Sequence, residues 1–325
     1  MIAHRGASGY RPEHTRSAYL LAIEQGADAV EPDLVSTSDG VLVIRHENEI
    51  SGTTDVASRS AFASRRTTKT IEGVSLTGWF TEDFTWTELS ILRARERLPR
   101  LRKANRAFEG EDGILRLSDL LELLDAVGGV GLVAEIKHAS YFESIGLPLD
   151  ELFAAELARA GWDSAGLEGC ARLTVESFET GVLGKIRDRG IRARYVFLLE
   201  ASGAPADHPE RPYADYLTAE GLAGLANGLG LDGISVDKHL LLRADDARRT
   251  NGVTDLVDRA HAAGLTIFCW TLRAENRFLP HDLRLGRSAA AYGNWRHEFA
   301  VIMGSGIDGV FADQPDLALL ARSAL

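Results

Sequence analysis

The feature that most constrains this chain is a rhythm. Short apolar runs rich in β-branched and aromatic residues alternate with stretches of helical periodicity along most of its length. Strand followed by amphipathic helix, repeated, builds parallel sheet, because parallel neighbours need a crossover between them. Runs centred on Ile2, Val30, Val133, Val175, Val196, Ile234, Phe268 and Val310 supply eight such units, and eight predict a closed (β/α)8 TIM barrel. The competing architecture is an open doubly wound sheet, but no Gly-rich dinucleotide fingerprint follows any of the strands.

Strands are expected over Met1–His4, Ala29–Val35, Leu132–Lys137, Leu173–Ser177, Ala193–Leu198, Gly233–Asp237, Thr266–Thr271 and Gly309–Ala312. Pro12-Glu13-His14-Thr15 opens the first helix and Ser118 is expected to cap another over Leu120–Ala126. Further helices are expected over Leu149–Ala160, Thr180–Arg189, Tyr216–Leu225 and Val253–Ala263. Ser38-Asp39-Gly40 is a turn, so Val41–Arg45 returns as a hairpin partner of the second strand. Residues 47–113 break the rhythm: they are rich in Thr, Arg and Gly and lack sustained periodicity outside Trp86–Arg97. So long a stretch inside a compact barrel argues for a functional segment. The expectation is one domain, 1–325, with 47–113 inserted after the strand-2 hairpin and capping the C-terminal face.

Charge narrows the function. Lys plus Arg number 36 against 47 Asp plus Glu, a net charge of −11, the wrong sign for a chain that neutralises nucleic-acid phosphates. Any phosphate chemistry must rest on local positive groups or a bound cation. No apolar run is long enough to cross a bilayer, which argues against stable membrane insertion. Cys170 and Cys269 are too few for a disulfide framework and read as buried thiols.

The chemistry concentrates at strand ends. In Ala29-Val30-Glu31-Pro32-Asp33-Leu34, residues two apart share a face, so Glu31 and Asp33 project together. Two buried carboxylates need a positive group between them, and a cation provides one. Pro32 sits awkwardly in a strand because it donates nothing to the ladder. The spacing recurs at Glu135 and Lys137. Either Glu135 completes the metal set while Lys137 meets an anion, or the two neutralise each other as a structural pair. His4 and His46 end the first strand and the hairpin strand beside these acids. Imidazoles titrating near neutrality suit general acid and base roles. The oxygen-only set Glu31, Asp33 and Glu135 favours a hard divalent cation, Ca²⁺ or Mg²⁺; histidine ligation would favour a softer ion.

These pieces together resemble the glycerophosphodiester phosphodiesterase family. The motifs are His4-Arg5-Gly6, Pro12-Glu13-His14-Thr15, Glu31-Pro32-Asp33, Thr37-Ser38-Asp39-Gly40, His46-Glu47 and Glu135-Ile136-Lys137. Trp270-Thr271, Gly306-Ile307-Asp308-Gly309 and Asp313-Gln314-Pro315-Asp316 close the series, which spans nearly the whole chain. The resemblance implies His4 and His46 as the acid/base pair and Glu31, Asp33 and Glu135 as ligands of one divalent cation. It also implies Arg5, Glu13, Lys137 and Trp270 on the substrate side. The implied reaction takes small glycerophosphodiesters, such as those of choline or ethanolamine, to glycerol 3-phosphate and an alcohol. His14 stands where the family often has Asn, and Glu176 where Gln often precedes Ser-Phe. Two alternatives accompany this reading. One is a lysophospholipase D-type reaction, which an apolar groove near Trp79, Phe80, Phe84 and Trp86 would favour. The other is a catalytically silent barrel that binds phosphodiesters. Many relatives with such an insertion are exported, and the first strand has little lead-in. The expected location is therefore extracytoplasmic with a signal sequence upstream of this chain, the cytoplasm being the alternative.

Overall fold

The computed structural model describes residues 1–163, 166–167, 170–245 and 249–325. The expected strands form, and they close. In chain order they are β1 (Ile2–His4), β2 (Ala29–Glu31), β3 (Asp33–Ser36), β4 (Leu42–Ile44) and β5 (Gly131–Ile136). The remainder are β6 (Leu173–Ser177), β7 (Arg194–Leu199), β8 (Gly233–Asp237), β9 (Thr266–Leu272) and β10 (Gly309–Ala312). All pair in parallel except β4, which folds back antiparallel on β3. β10 lies beside β1, with Ile2 opposite Phe311, and this pairing closes the ring. β2 and β3 together are the second barrel strand. Pro32 divides them, yet its carbonyl accepts from the Glu135 amide at 2.9 Å, so β2 and β3 both register on β5 across the proline.

Alternation along the strands sorts the side chains. Ile2, Val133, Val196, Phe268 and Phe311 point inward and pack into a plug inside the ring. Each such buried side chain contributes on the order of 1.5–3 kcal/mol over an exposed one. Gly309 makes room for it, since a Cβ there would lie 2.8 Å from the Phe268 ring. Two residues further along each strand come His4, Glu135 and Trp270, so the charged layer sits directly above an apolar floor at the C-terminal ends. The second core lies between strands and helices, where Val30, Leu34, Val175, Ile234 and Ile267 meet Tyr19, Leu120, Phe153, Leu183 and Phe299.

Several helix boundaries differ from expectation. The first helix runs Arg16–Glu24, capped by Thr15, whose hydroxyl accepts from the Ala18 amide; Pro12–His14 stay in the loop. The helix Leu117–Val127 starts one residue before Ser118, with the Asp119 carboxylate accepting from the Arg116 amide at 2.9 Å. In place of one helix over Tyr216–Leu225 there are two short ones, Tyr213–Tyr216 and Ala219–Ala223, because Thr218 caps a fresh start. Trp295–Met303 is a helix the strand rhythm does not single out; it buries Trp295, Phe299 and Ile302.

Residues 47–113 hold short 3-10 turns, one four-residue helix (Trp86–Leu89) and the hairpin Thr67–Ile71/Val74–Gly78. Their aromatics turn inward: Phe80 and Phe84 are fully buried, and the Trp79 indole donates to the Phe62 carbonyl. None of Trp79, Phe80, Phe84 and Trp86 lines the cavity at the barrel mouth, so the apolar groove that would favour a lyso-lipid substrate does not form there. Cys269 is a buried free thiol; the side chain of Cys170 lies outside the described residues. Among the described residues no helix is long and apolar enough to cross a membrane.

Candidate active site

A cavity of about 1210 Å³ opens at the C-terminal ends of the strands. His4, Arg5, Glu31, His46, Glu135, Lys137 and Trp270 all line it, with Glu176 and Phe178 added by β6 and the loop after it. Ladder register explains the convergence: His4 stands opposite Glu31, Asp33 opposite Glu135, and Glu135 opposite Glu176.

Each imidazole is held by a carboxylate through Nδ1. His4 Nδ1 lies 2.7 Å from Asp313 Oδ1, across the seam where β1 meets β10. Asp313 Oδ2 accepts from Arg102 Nη2 at 2.5 Å and Arg273 Nε at 2.7 Å. His46 Nδ1 lies 2.5 Å from Glu47 Oε1. With Nδ1–H donating to the carboxylate, each ring leaves Nε2 as an acceptor for chemistry. Lys137 Nζ is 3.4 Å from His46 Nε2. Burial, then Arg5, brings the His4 pKa down to about 4 against the pull of Asp313. Burial, Arg5 and Lys137 bring His46 down to about 3. Both imidazoles are neutral at rest.

Glu31, Glu135 and Glu176 present oxygens within 4.8 Å of one another. All three are buried. Burial and the neighbouring carboxylates, Asp33 first, push Glu31 well above the usual range, and burial with Glu135 does the same to Glu176. Glu135 rises to about 8, burial outweighing the Lys137 ammonium 2.7 Å from Oε1. Glu31 Oε1 and Glu176 Oε2 are buried with no hydrogen-bond partner. A set of crowded, unpartnered oxygens fits a cation, which would satisfy them and remove their repulsion.

Asp33 sits beside this cluster on different terms. Oδ2 meets His14 Nε2 at 2.7 Å and Arg5 Nε at 3.3 Å. Burial is outweighed by His46, Arg5 and Lys137, which hold its carboxyl well below the usual range. Its Oδ1 has no hydrogen-bond partner and lies 3.8 Å from Lys137 Nζ. Glu13 reaches Arg5 Nη1 at 3.1 Å from the first loop. Trp270 donates its indole N–H to the Ser235 carbonyl at 3.2 Å and stands edge-on to Phe178, ring centres 5.8 Å apart.

Comparison with known proteins decides the family. The model of the glycerophosphoryl diester phosphodiesterase family matches residues 4–317. The chain belongs to that family. A relative named glycerophosphodiester phosphodiesterase GDPD6, from Arabidopsis thaliana, is 30% identical over 321 residues, covering 96% of this chain and 82% of its own. A glycerophosphodiester phosphodiesterase structure from Agrobacterium tumefaciens shares the fold with TM-score 0.59 at 18% identity, covering 98% of both chains. An Oleispira antarctica phosphodiesterase in complex with sn-glycerol-3-phosphate aligns with TM-score 0.64 at 19% identity, over 99% of this chain and 96% of that one.

Family membership makes the chain a phosphoric diester hydrolase. Five groups around the site had no role assigned from the sequence. Arg97 closes the one periodic stretch of residues 47–113 and Arg102 lies beyond it, where no pattern marks a side chain; Glu176 differs from the residue common in the family and read there as a departure. Asp313 stood in the closing motif with no role. Only Glu47, adjacent to His46, carried a usable local signal.

Proposed function

We propose that this hydrolase cleaves small glycerophosphodiesters, such as those of choline and ethanolamine, with His4 and His46 as its acid/base pair. The observation that carries the reading is the pair of imidazoles, each anchored at Nδ1 by its own carboxylate, lining one cavity with Arg5 and Lys137. One Nε2 accepts the proton of the attacking hydroxyl, from water or from the substrate's own glycerol, as the new P–O bond forms. The other ring, protonated once an anionic substrate has joined Arg5 and Lys137, gives its proton to the departing oxygen as the P–O bond to the headgroup breaks. Internal attack leaves a cyclic phosphate, which water opens with the two rings exchanging roles. Arg5 and Lys137 meet the phosphoryl oxygens and offset the chain's negative field. Glu13 orients Arg5, and Trp270 with Phe178 forms an aromatic wall for the remainder of the substrate.

Glu31, Glu135 and Glu176, with Asp33 Oδ1 at their flank, would hold one divalent cation; all-oxygen donors point to Ca²⁺ or Mg²⁺. Such an ion supplies Lewis-acid charge to a phosphoryl oxygen. The Oleispira relative, described with sn-glycerol-3-phosphate bound, supports the product class. Residues 47–113 belong, on this reading, to one domain spanning 1–325 and complete the mouth of its barrel. The deciding assay follows glycerol 3-phosphate release from a panel of glycerophosphodiesters and lyso-lipids, with Ca²⁺ or Mg²⁺ and after chelation. Turnover of soluble diesters that chelation abolishes is expected; turnover that survives chelation, or that favours lyso-lipids, defeats the proposal.

A further inference from the structure

We propose that Arg97 and Arg102, both from the segment between β4 and β5, are positioning residues, each locking the carboxylate that aims one of the two imidazoles. The inference rests on His4 and His46 being the acid/base pair. The two arms have the same construction: imidazole Nδ1, carboxylate, guanidinium. In the first, Glu47 Oε1 takes both His46 Nδ1 and Arg97 Nη1, at 2.5 and 2.8 Å, and Glu47 Oε2 takes Arg97 Nη2 at 2.5 Å. The other edge of the same guanidinium grips Glu13, Nε to Oε2 at 2.7 Å and Nη2 to Oε1 at 2.6 Å. In the second, Asp313 gives Oδ1 to His4 and Oδ2 to Arg102 Nη2, while Arg102 Nε bonds Glu275 at 2.8 Å and Nη1 bonds the Ser8 carbonyl at 3.0 Å.

A carboxylate held at one oxygen by an imidazole can still rotate; a guanidinium on its second oxygen removes that freedom. The need is greater at His46. Glu47 keeps 33% of its side chain exposed, and among the described residues His46 and Arg97 are what hold its carboxylate, so without Arg97 it is free to swing into solvent. Asp313 is almost fully buried and has a second guanidinium from Arg273. Arg97 also braces Glu13, and through it Arg5, so its loss reaches the substrate side as well. A lysine offers a point charge and cannot bridge two carboxylates with a planar fork.

The test measures kcat and KM for glycerophosphocholine hydrolysis, cation present, in R97A, R97K, R102A, R102K and the control R106A. Arg106 is an exposed arginine of the same segment. H4A and H46A run in parallel, and thermal melts establish folding. R97A is expected to lose about 10–100-fold in kcat with a raised KM. R102A is expected to lose less, with KM unchanged, and both Lys variants to stay impaired. In kcat, R97A/E47Q should lose clearly less than the product of the two single losses, because both act on His46 in series, while the rise in KM that comes through Glu13 and Arg5 persists. If an Ala variant does not fold, its Lys counterpart carries the comparison. Wild-type kcat in folded Arg97 and Arg102 variants, additive loss in the R97A/E47Q cycle, or equal loss in R106A overturns the inference. If H4A and H46A are themselves active, the catalytic assignment fails instead.

Discussion

Burial divides the acids around the cavity into two kinds of group. Asp33 has cations about it and stays charged, whereas Glu135 lies in a crowd of carboxylates and keeps its proton up to about pH 8. A cation must displace that proton, so binding should release protons and tighten as pH rises through about 8. Titration calorimetry in buffers of different ionisation enthalpy reads this directly; no buffer dependence at pH 7 would contradict it. Replacing Glu176 by Gln removes one of the three converging carboxyl groups and should weaken Ca²⁺ or Mg²⁺ binding while leaving the fold intact, as a metal titration followed by melting temperature will show. His4→Ala and His46→Ala should each cost about 10²–10⁴ in rate, with substrate binding retained. His14 shows why single residues were only partly legible. Its backbone sits in the left-handed region, φ 58°, which Asn and His tolerate better than most side chains. The sequence flags it as a departure, but only the fold reveals that its Nε2 serves Asp33 and its Nδ1 the Tyr19 hydroxyl.

At the scale of elements, the loops after β1 and β10 form one unit. The Gly9 amide donates to the Asp313 carbonyl at 2.7 Å, and a Cβ on Gly9 would come within 2.8 Å of that same oxygen and 2.6 Å of the Gln314 side chain. Gly9→Ala should therefore push the two loops apart, cost on the order of 1–3 kcal/mol, and lower kcat by tilting His4. Thermal melts and kinetics on one preparation test both; an active variant of undiminished stability would show that the loops are not coupled. Strands were the most legible elements, because the period-2 pattern is local and every barrel strand is apolar on its outer face. Helix starts were less so: the start at Arg116 rests on Asp119 reaching back to its amide, and Thr218, a good cap by residue type, stands inside an apolar run from Tyr216 to Leu225 that reads as one helix. Residues 47–113 were legible only as an exception to the rhythm. Their architecture is held by ion pairs and turns such as Lys69 with Glu82 and Asp83, which carry no period to read.

Across the whole molecule, acid and base titrations oppose one another. The folded chain depresses His4 and His46, so protons bind the unfolded chain more readily, and stability should fall as pH drops from about 6.5 towards about 4. Glu135 acts in the other sense: its raised pKa favours the folded state below about 4.5 and that contribution is lost as pH rises towards about 8. A saturating divalent cation removes the second liability, adding about 2.7 kcal/mol at a hundred times its dissociation constant. Calorimetric scans should thus show a larger rise in melting temperature on adding Ca²⁺ or Mg²⁺ at pH 8 than at pH 5.5. An equal rise at both would argue against buried carboxylates as the ligands. The seam between β1 and β10 carries one more implication. His4 takes its orientation from Asp313, 309 positions away in sequence, so on the proposed role of His4 full turnover has to wait until β10 docks against β1. Enzymatic activity would then be a clock for ring closure: in refolding from denaturant, full rate should appear together with the pairing of β1 and β10 and not before it.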